Sequence, residues 1–475
     1  MIIAVSSFSY PRCRSVMISM AKNRCSMPAK AATTLTSRRA GLIWKQRRPS
    51  CCSFSGRTSD IIRNEYNTMK RNNTSKLHSR TQHQQHVSFS SSSRQKMDPS
   101  HRLPPNLPNE TPKRIVFGSC SDSNEDLTYW DTFCDTKPDL VVLMGDNIYA
   151  KSSSIQDQYH KLVTHPSYIR ATTDTGICIL ATIDDNDLEN TSDDEEEDDY
   201  NRIVRLQESC RLFKETFQPQ LQLANDDRDG TGSLNQVYEW KDDLQIILLD
   251  LRTYSMKRSM LFEEDPTTTT TTTNLMDDKQ WEWLEECLVR SKNYKLRLLV
   301  SPIQVLPTSH KFECWYTNSP TERRRLLQLL TKYSSACTSH TAQTIFLSGD
   351  RHTSAYYSHD YNNDAGKGTI YEITSSSLTH TIPVGLLDGR EIDEYRMSEF
   401  CYENNFGMID ILDDTNDDEL SSAMVEVSIR STRTGKKIDL QLQQRQDEDV
   451  KNRNDDDDNK NETKFEDTLR VRFST

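Results

Sequence analysis

From Arg114 onward, short apolar runs recur and alternate with segments of helical spacing. RIVFGSC (114–120), DLVVLMGD (139–146), GICILATIDD (176–185), LQIILLDLR (244–252), LRLLVSPIQV (296–305) and TIFLSGD (344–350) read as buried strands, being continuously apolar and short. Helices are expected between them at 126–136, 155–163, 202–217, 277–291 and 320–333. The last carries a start signature: Ser319 as cap, Pro320 at the first helical position and Glu322 to close a capping box. Beyond 368 the pattern is nearly all strand: TIYEITS, FGMIDIL, AMVEVSI and KKIDLQL. A βαβ region followed by antiparallel strands predicts an α/β sandwich of two mixed β-sheets flanked by helices.

Before Arg114 no period is sustained. Residues 1–97 hold eighteen Lys and Arg against only Asp60 and Glu65. This reads as an organelle transit peptide, plastid or mitochondrial, or as an unstructured basic arm. The start, MIIAVSSFSYPRC, lacks a basic n-region, so a secretory signal is the weaker reading; a secreted or cytoplasmic destination stays open. The expected organisation is a basic leader over 1–110 and one enzyme domain over 111–475. That domain carries low-complexity insertions: 184–199 with its run DDEEEDD, seven threonines at 267–273, and Asp- and Asn-rich tracts at 413–422 and 446–467. The acidic run 193–199 reads first as a solvated loop, and second as a weak calcium site.

Charge sharpens the picture. The chain carries −12 and the leader contributes +16, so residues 98–475 carry −28. A body that acidic repels nucleic-acid backbones and suits cations. The twelve cysteines show no CxxC pair or zinc-like spacing, and no disulfide framework is expected. No apolar run reaches the roughly 18 residues of a transmembrane segment.

The polar residues collect at the carboxyl ends of the expected strands, the edge where open α/β sheets bind ligands. They are Ser119-Cys120, then Gly145-Asp146-Asn147-Ile148-Tyr149, then Asp184-Asp185-Asn186-Asp187, then Gly349-Asp350-Arg351-His352. Taken singly, Asp after Gly is a common turn former, Cys120 a small buried residue and Tyr149 a packing residue. Taken together, carboxylates, a thiol, a phenol and an imidazole on one edge form a metal-site pattern.

The order FGSC, GDNIYA, ATIDDND, LDLR, DKQWEWLEECL, SPIQVLPTS, LSGDRH, YEITSSSLTHT resembles the PhoD-like (alkaline phosphatase D) metallophosphatases of the calcineurin-like superfamily, from about 114 to 430. The resemblance implies a metallophosphatase-type sandwich. It also implies a metal-dependent phosphomonoesterase or phosphodiesterase that uses a metal-activated hydroxide or oxide on a phosphoester substrate. The implied metals are Fe3+ and Ca2+, or another divalent cation such as Mn2+ or Mg2+. Carried over by motif, Cys120, Tyr149, Asp185, Asp350 and His352 are ligands, Asp146 bridges the metals, and Arg252 is a phosphate binder or a structural ion pair. Gln304 is a weaker candidate for the metal edge. The family has Asp-Asp-His-Asp or Asp-Asp-His-Glu after the third strand; here the His is Asn186. Asn donates hydrogen bonds but is no general acid near neutral pH. Either the enzyme is slowed, or His380, His160 or His165 supplies the proton. The rival reading is a weakened relative that binds phospho-ligands or a partner.

Overall fold

All six runs read as buried strands form strands. In the computed structural model β1 is Arg114–Gly118, β2 Leu140–Met144, β3 Cys178–Thr182, β4 Gln236–Trp240, β5 Leu244–Leu248, β6 Leu296–Ser301 and β7 Gln343–Ser348. They are followed by β8 Ser354–Asn363, β9 Gly366–Ser375, β10 Asn405–Asp413, β11 Ser422–Ser431 and β12 Leu469–Ser474. The residues described are 104, 106–150, 154–188, 199–218, 234–241, 243–261, 274–290, 294–335, 343–363, 366–413, 422–442 and 469–474. Most of the leader, the acidic run after Leu188, the threonine tract and the two later Asp-rich tracts lie outside them. Leu107 and Pro108 precede the expected boundary yet belong with the body: Leu107 packs on the core, and the Pro108 carbonyl accepts from Trp240 Nε1 at 2.8 Å.

The strands make two six-stranded sheets, ordered β12-β11-β10-β1-β2-β3 and β4-β5-β6-β7-β9-β8. β1, β2 and β3 are parallel, and β10 pairs antiparallel with β1 at Arg114↔Asp410 through Phe117↔Gly407. In the second sheet β5, β6, β7 and β9 are parallel, with β4 and β8 antiparallel at the edges. Every residue of β2, β5 and β6 is buried, as fits strands covered on both faces. Phe117, Val142, Leu298 and Ile345 are among the side chains of both sheets that share one interior cluster. Helices Tyr129–Thr136, Ile155–Thr164 and Asp199–Phe217 bring Trp130, Phe133, Tyr159 and Phe213 to the outer cluster that holds Val116, Val141 and Ala181 of β1–β3. Asp278–Arg290 and Pro320–Ser335 cover the second sheet with Trp281, Leu284, Leu326 and Leu330. Each large side chain so buried contributes about 1.5–3 kcal/mol.

Two local expectations fail. KKIDLQL is no strand: β12 takes the free edge of β11 from Ser422 to Val427, so only Lys437 bridges back to Arg430 before the chain leaves. The capping box before Pro320 does not form either. Glu322 accepts instead from the Leu275 amide at 2.6 Å and from Trp281 Nε1 at 3.0 Å, while Ser319 Oγ is buried with no hydrogen-bond partner among the described residues.

Candidate metal centre

The carboxyl ends of strands from both sheets meet at one cleft, and two glycines allow the approach. Gly145 sits at φ +96°, and a Cβ there would lie 2.5 Å from Asp184 Cβ. At Gly349 a Cβ would lie 2.6 Å from Ser119 Oγ and 3.0 Å from the Met144 carbonyl. The residues after these turns are strained. Cys120, Asp146, Asp350 and His352 have φ of 62°, 52°, 67° and 50°. Each such conformation costs on the order of 1–3 kcal/mol for a residue with a side chain, and such strain clusters at functional sites.

Asp146 is the hub. Its Oδ2 lies 3.7 Å from Cys120 Sγ and accepts from Tyr149 Oη at 2.8 Å and from Asn186 Nδ2 at 2.9 Å; the Asn186 amide reaches Oδ1 at 3.2 Å. Tyr149 Oη also lies 3.1 Å from His352 Nε2. Donor atoms of Cys120, Asp146 and His352 fall within 4.8 Å of one another, as do those of Asp146, Asp184, Asp185 and Asp350. The two groups share Asp146. The motif gives the ligand role to Asp185 alone, and Asp184 stands in the second group beside it; adjacent aspartates give no sign in the sequence of which faces inward.

Surrounding groups fix these side chains. Asp187 accepts from the Asn147 amide, Asn147 Nδ2 and the Asp184 amide, each at 2.9 Å, locking the Asp184–Asp187 turn to the end of β2. Arg252 is 8% exposed, and its guanidinium is taken up by Asp184 and by Glu313, the latter at 2.5 and 3.1 Å. Gln304 donates to Thr374 Oγ1 at 2.8 Å and stands in neither ligand group. Arg351 is held by both oxygens of Glu391 at 2.7 Å. Of the three histidines considered as proton donors, the cleft receives His380, whose Nε2 is 3.2 Å from His352 Nε2. His160 is exposed on its helix, and His165 accepts from the Ser167 amide at 3.3 Å.

The electrostatics call for a cation. Burial, then Asp185, Asp187 and Asp350, push the Asp146 carboxyl well above the usual range. Burial and Asp146 do the same to the Cys120 thiol. Burial likewise raises the Tyr149 phenol, with Cys120 and Asp146 adding to it. Asp350 is pushed up to about 6 and Asp187 to about 7, burial leading in both. A bound cation inverts each of these preferences. Asp184 Oδ2 is buried and has no hydrogen-bond partner among the described residues, as suits an oxygen reserved for a metal. The donor set therefore fits metal ions.

The PhoD-like phosphatase family model matches residues 172–412, half of the chain. The chain belongs to the PhoD-like phosphatase family. Cys120, Asp146 and Tyr149 precede the matched segment, and the parallel pairing of β2 with β3 brings them to it. The matched segment lies on a fold of two mixed sheets flanked by helices. Among solved structures it is similar to the purple acid phosphatase PPD1 from yellow lupin (Lupinus luteus) seeds, at 11% identity and a TM-score of 0.40. That match covers 71% of this chain and 54% of the lupin chain, so it spans about half the neighbour's length. A search of curated proteins gave no match. No helix among the described residues is long and apolar enough to cross a membrane.

Proposed function

We propose that this PhoD-like chain hydrolyses phosphate mono- or diesters at a two-cation centre, with Asp146 common to both positions. The observation that carries the reading is the pair of ligand groups joined at that one carboxylate. Cys120, Tyr149 and His352 form the softer side, and phenolate with thiolate suits Fe3+. Asp184, Asp185 and Asp350 form an all-oxygen side that suits Ca2+, Mn2+ or Mg2+. Bound cations supply Lewis acidity toward phosphoryl oxygens and toward water.

The chain's own residues hold the geometry. Asp187 and Asn147 orient the third-strand turn. Arg252 draws the Asp184 carboxyl toward its charged form, while burial, Asp146, Asp185 and Asp350 hold it well above the usual range; the guanidinium stays charged because Asp184 and Glu313 outweigh its own burial. This supports a positioning role for Arg252, with phosphate contact open to a guanidinium edge only if Glu313 yields. Asn186 offers an amide donor at the cleft in place of the family's His. His380 brings a second imidazole there, held at Nδ1 by Thr379 Oγ1 at 3.0 Å.

The test uses the full chain: metal content, visible absorbance and p-nitrophenyl phosphate hydrolysis on one sample. The expected result is bound iron with a phenolate-to-iron band that disappears in Tyr149→Phe, and hydrolysis that disappears in Asp146→Ala. Absence of metal after reconstitution with iron and calcium would overturn the ligand assignment. Metal without hydrolysis would favour the phospho-ligand-binding alternative, with Asn186 as its cause.

A further inference from the structure

Residues 430–437 read RSTRTGKK: four cations, three hydroxyls and no acid, in a body that carries −28. The segment makes the turn after β11. Gly435, at φ 66°, donates its amide to the Ser431 carbonyl at 2.9 Å, and Ser431 donates to the Lys436 carbonyl at 2.9 Å. The turn closes one wall of a cavity of about 350 Å³, with Arg114, Arg430, Arg433, Thr132 and Thr136 among its lining. Arg114 opens β1, and Cys120 lies beyond the other end of the same strand. At about 3.3 Å per residue the cavity is roughly 20 Å from the metal centre.

The charges in this cavity are unbalanced. Asp135, the acid of the lining, shares Arg170 with Asp131, at 3.0 and 2.8 Å, and Asp410 is held by Arg114 at 2.7 Å, which leaves Arg430 and Arg433 in excess. Arg430 donates to Ser428 Oγ at 3.2 Å and to the Gly435 carbonyl at 3.0 Å, neither of them an anion. Among the described residues neither Arg430 nor Arg433 has a carboxylate at ion-pair distance. Asp410 and Glu426 act on Arg430 from farther off, but burial, with Arg114 adding to it, makes its charge less favourable than usual. An anion in the cavity relieves both burdens, and planar guanidinium groups match phosphate oxygens two at a time.

We infer that this cavity is a second anion site, separate from the metal centre, and that it takes a small multiply charged phosphate such as pyrophosphate or an organic diphosphate. The volume exceeds that of one phosphate group, so two linked phosphates are the natural occupant.

Calorimetry with pyrophosphate on the full chain decides the matter, run both metal-loaded and metal-stripped. Binding that survives metal removal and weakens with added salt is expected. Arg433→Glu should weaken that metal-independent binding by about ten-fold or more, the worth of one charge-assisted contact, and leave p-nitrophenyl phosphate hydrolysis in place. Arg430→Gln should weaken it as well. If stripping the metals abolishes all pyrophosphate binding, or if Arg433→Glu binds as the parent does, the site does not exist.

Discussion

One residue carries the main chemical question. The PhoD-like resemblance implies a histidine at the position of Asn186, whose Nδ2 donates to Asp146 Oδ2 at 2.9 Å and to Asp185 Oδ1 at 3.1 Å. It can anchor a carboxylate, but it holds no proton to give near neutral pH. An aryl phosphate leaves without needing that proton, and an alkyl phosphate needs it. The parent chain should therefore favour p-nitrophenyl phosphate over ethyl phosphate strongly. Asn186→His should raise turnover of the ethyl ester by about 10²-fold, the low end of general-acid effects, and the aryl ester far less. No gain on either ester would mean that His380 or another group already serves, and equal gains on both would mean that residue 186 does not act by protonating the leaving group. At this scale the sequence was informative about residue identity: Cys120, Asp146, Tyr149, Asp350 and His352 announce themselves by motif and do converge. It was silent on conformation. Four of them sit at positive φ, which no motif spacing reveals. It also could not tell Asp184, sealed inside, from exposed Asp185.

Elements were legible where burial is two-sided. β1, β2, β3, β5, β6 and β7 stand out because a strand covered on both faces is apolar at nearly every position. The edge strands of the second sheet were not legible. β4 alternates buried with partly or fully exposed positions in QVYEW, and β8 runs on into the polar stretch HDYNN. Their identity is set by a neighbour's free edge and not by their own composition. The start of the Pro320–Ser335 helix is a sharper lesson: the residues of a capping box are present and the box is not. Glu322 holds the Leu275 amide and Trp281 Nε1, tying the entrance of helix Asp278–Arg290 to its partner. Glu322→Ala would strand both buried donors and should cost about 2–4 kcal/mol, whereas Ser319→Ala removes no cap and should cost under about 1 kcal/mol. Urea denaturation of the two variants separates the roles, since a working capping box would make the losses similar.

The whole molecule responds to acid through opposing contributions. With −28 on the body, protonating surface carboxylates eases self-repulsion and favours the fold. His310 works the other way. It is 6% exposed, and neither ring nitrogen has a well-formed hydrogen bond among the described residues; the Phe312 backbone gives it only slight help. Burial, then the charge of Arg351, bring its pKa down to about 4 from an ordinary 6.5. The unfolded chain thus takes up this proton below about 6.5 and the folded chain only below about 4. Stability from the neutral imidazole is present above pH 6.5 and is lost as pH falls to 4, by up to about 3 kcal/mol. Other groups titrate in that window, so a difference between two proteins is the usable quantity. His310→Leu keeps the site apolar and removes the proton. From pH 7 to pH 4 the parent's unfolding free energy should fall by about 3 kcal/mol more than the variant's. Parallel pH profiles would show that His310 charges without cost, and that the loop carrying it, next to Glu313 and the Arg252–Asp184 pair, opens to water well before the sandwich unfolds.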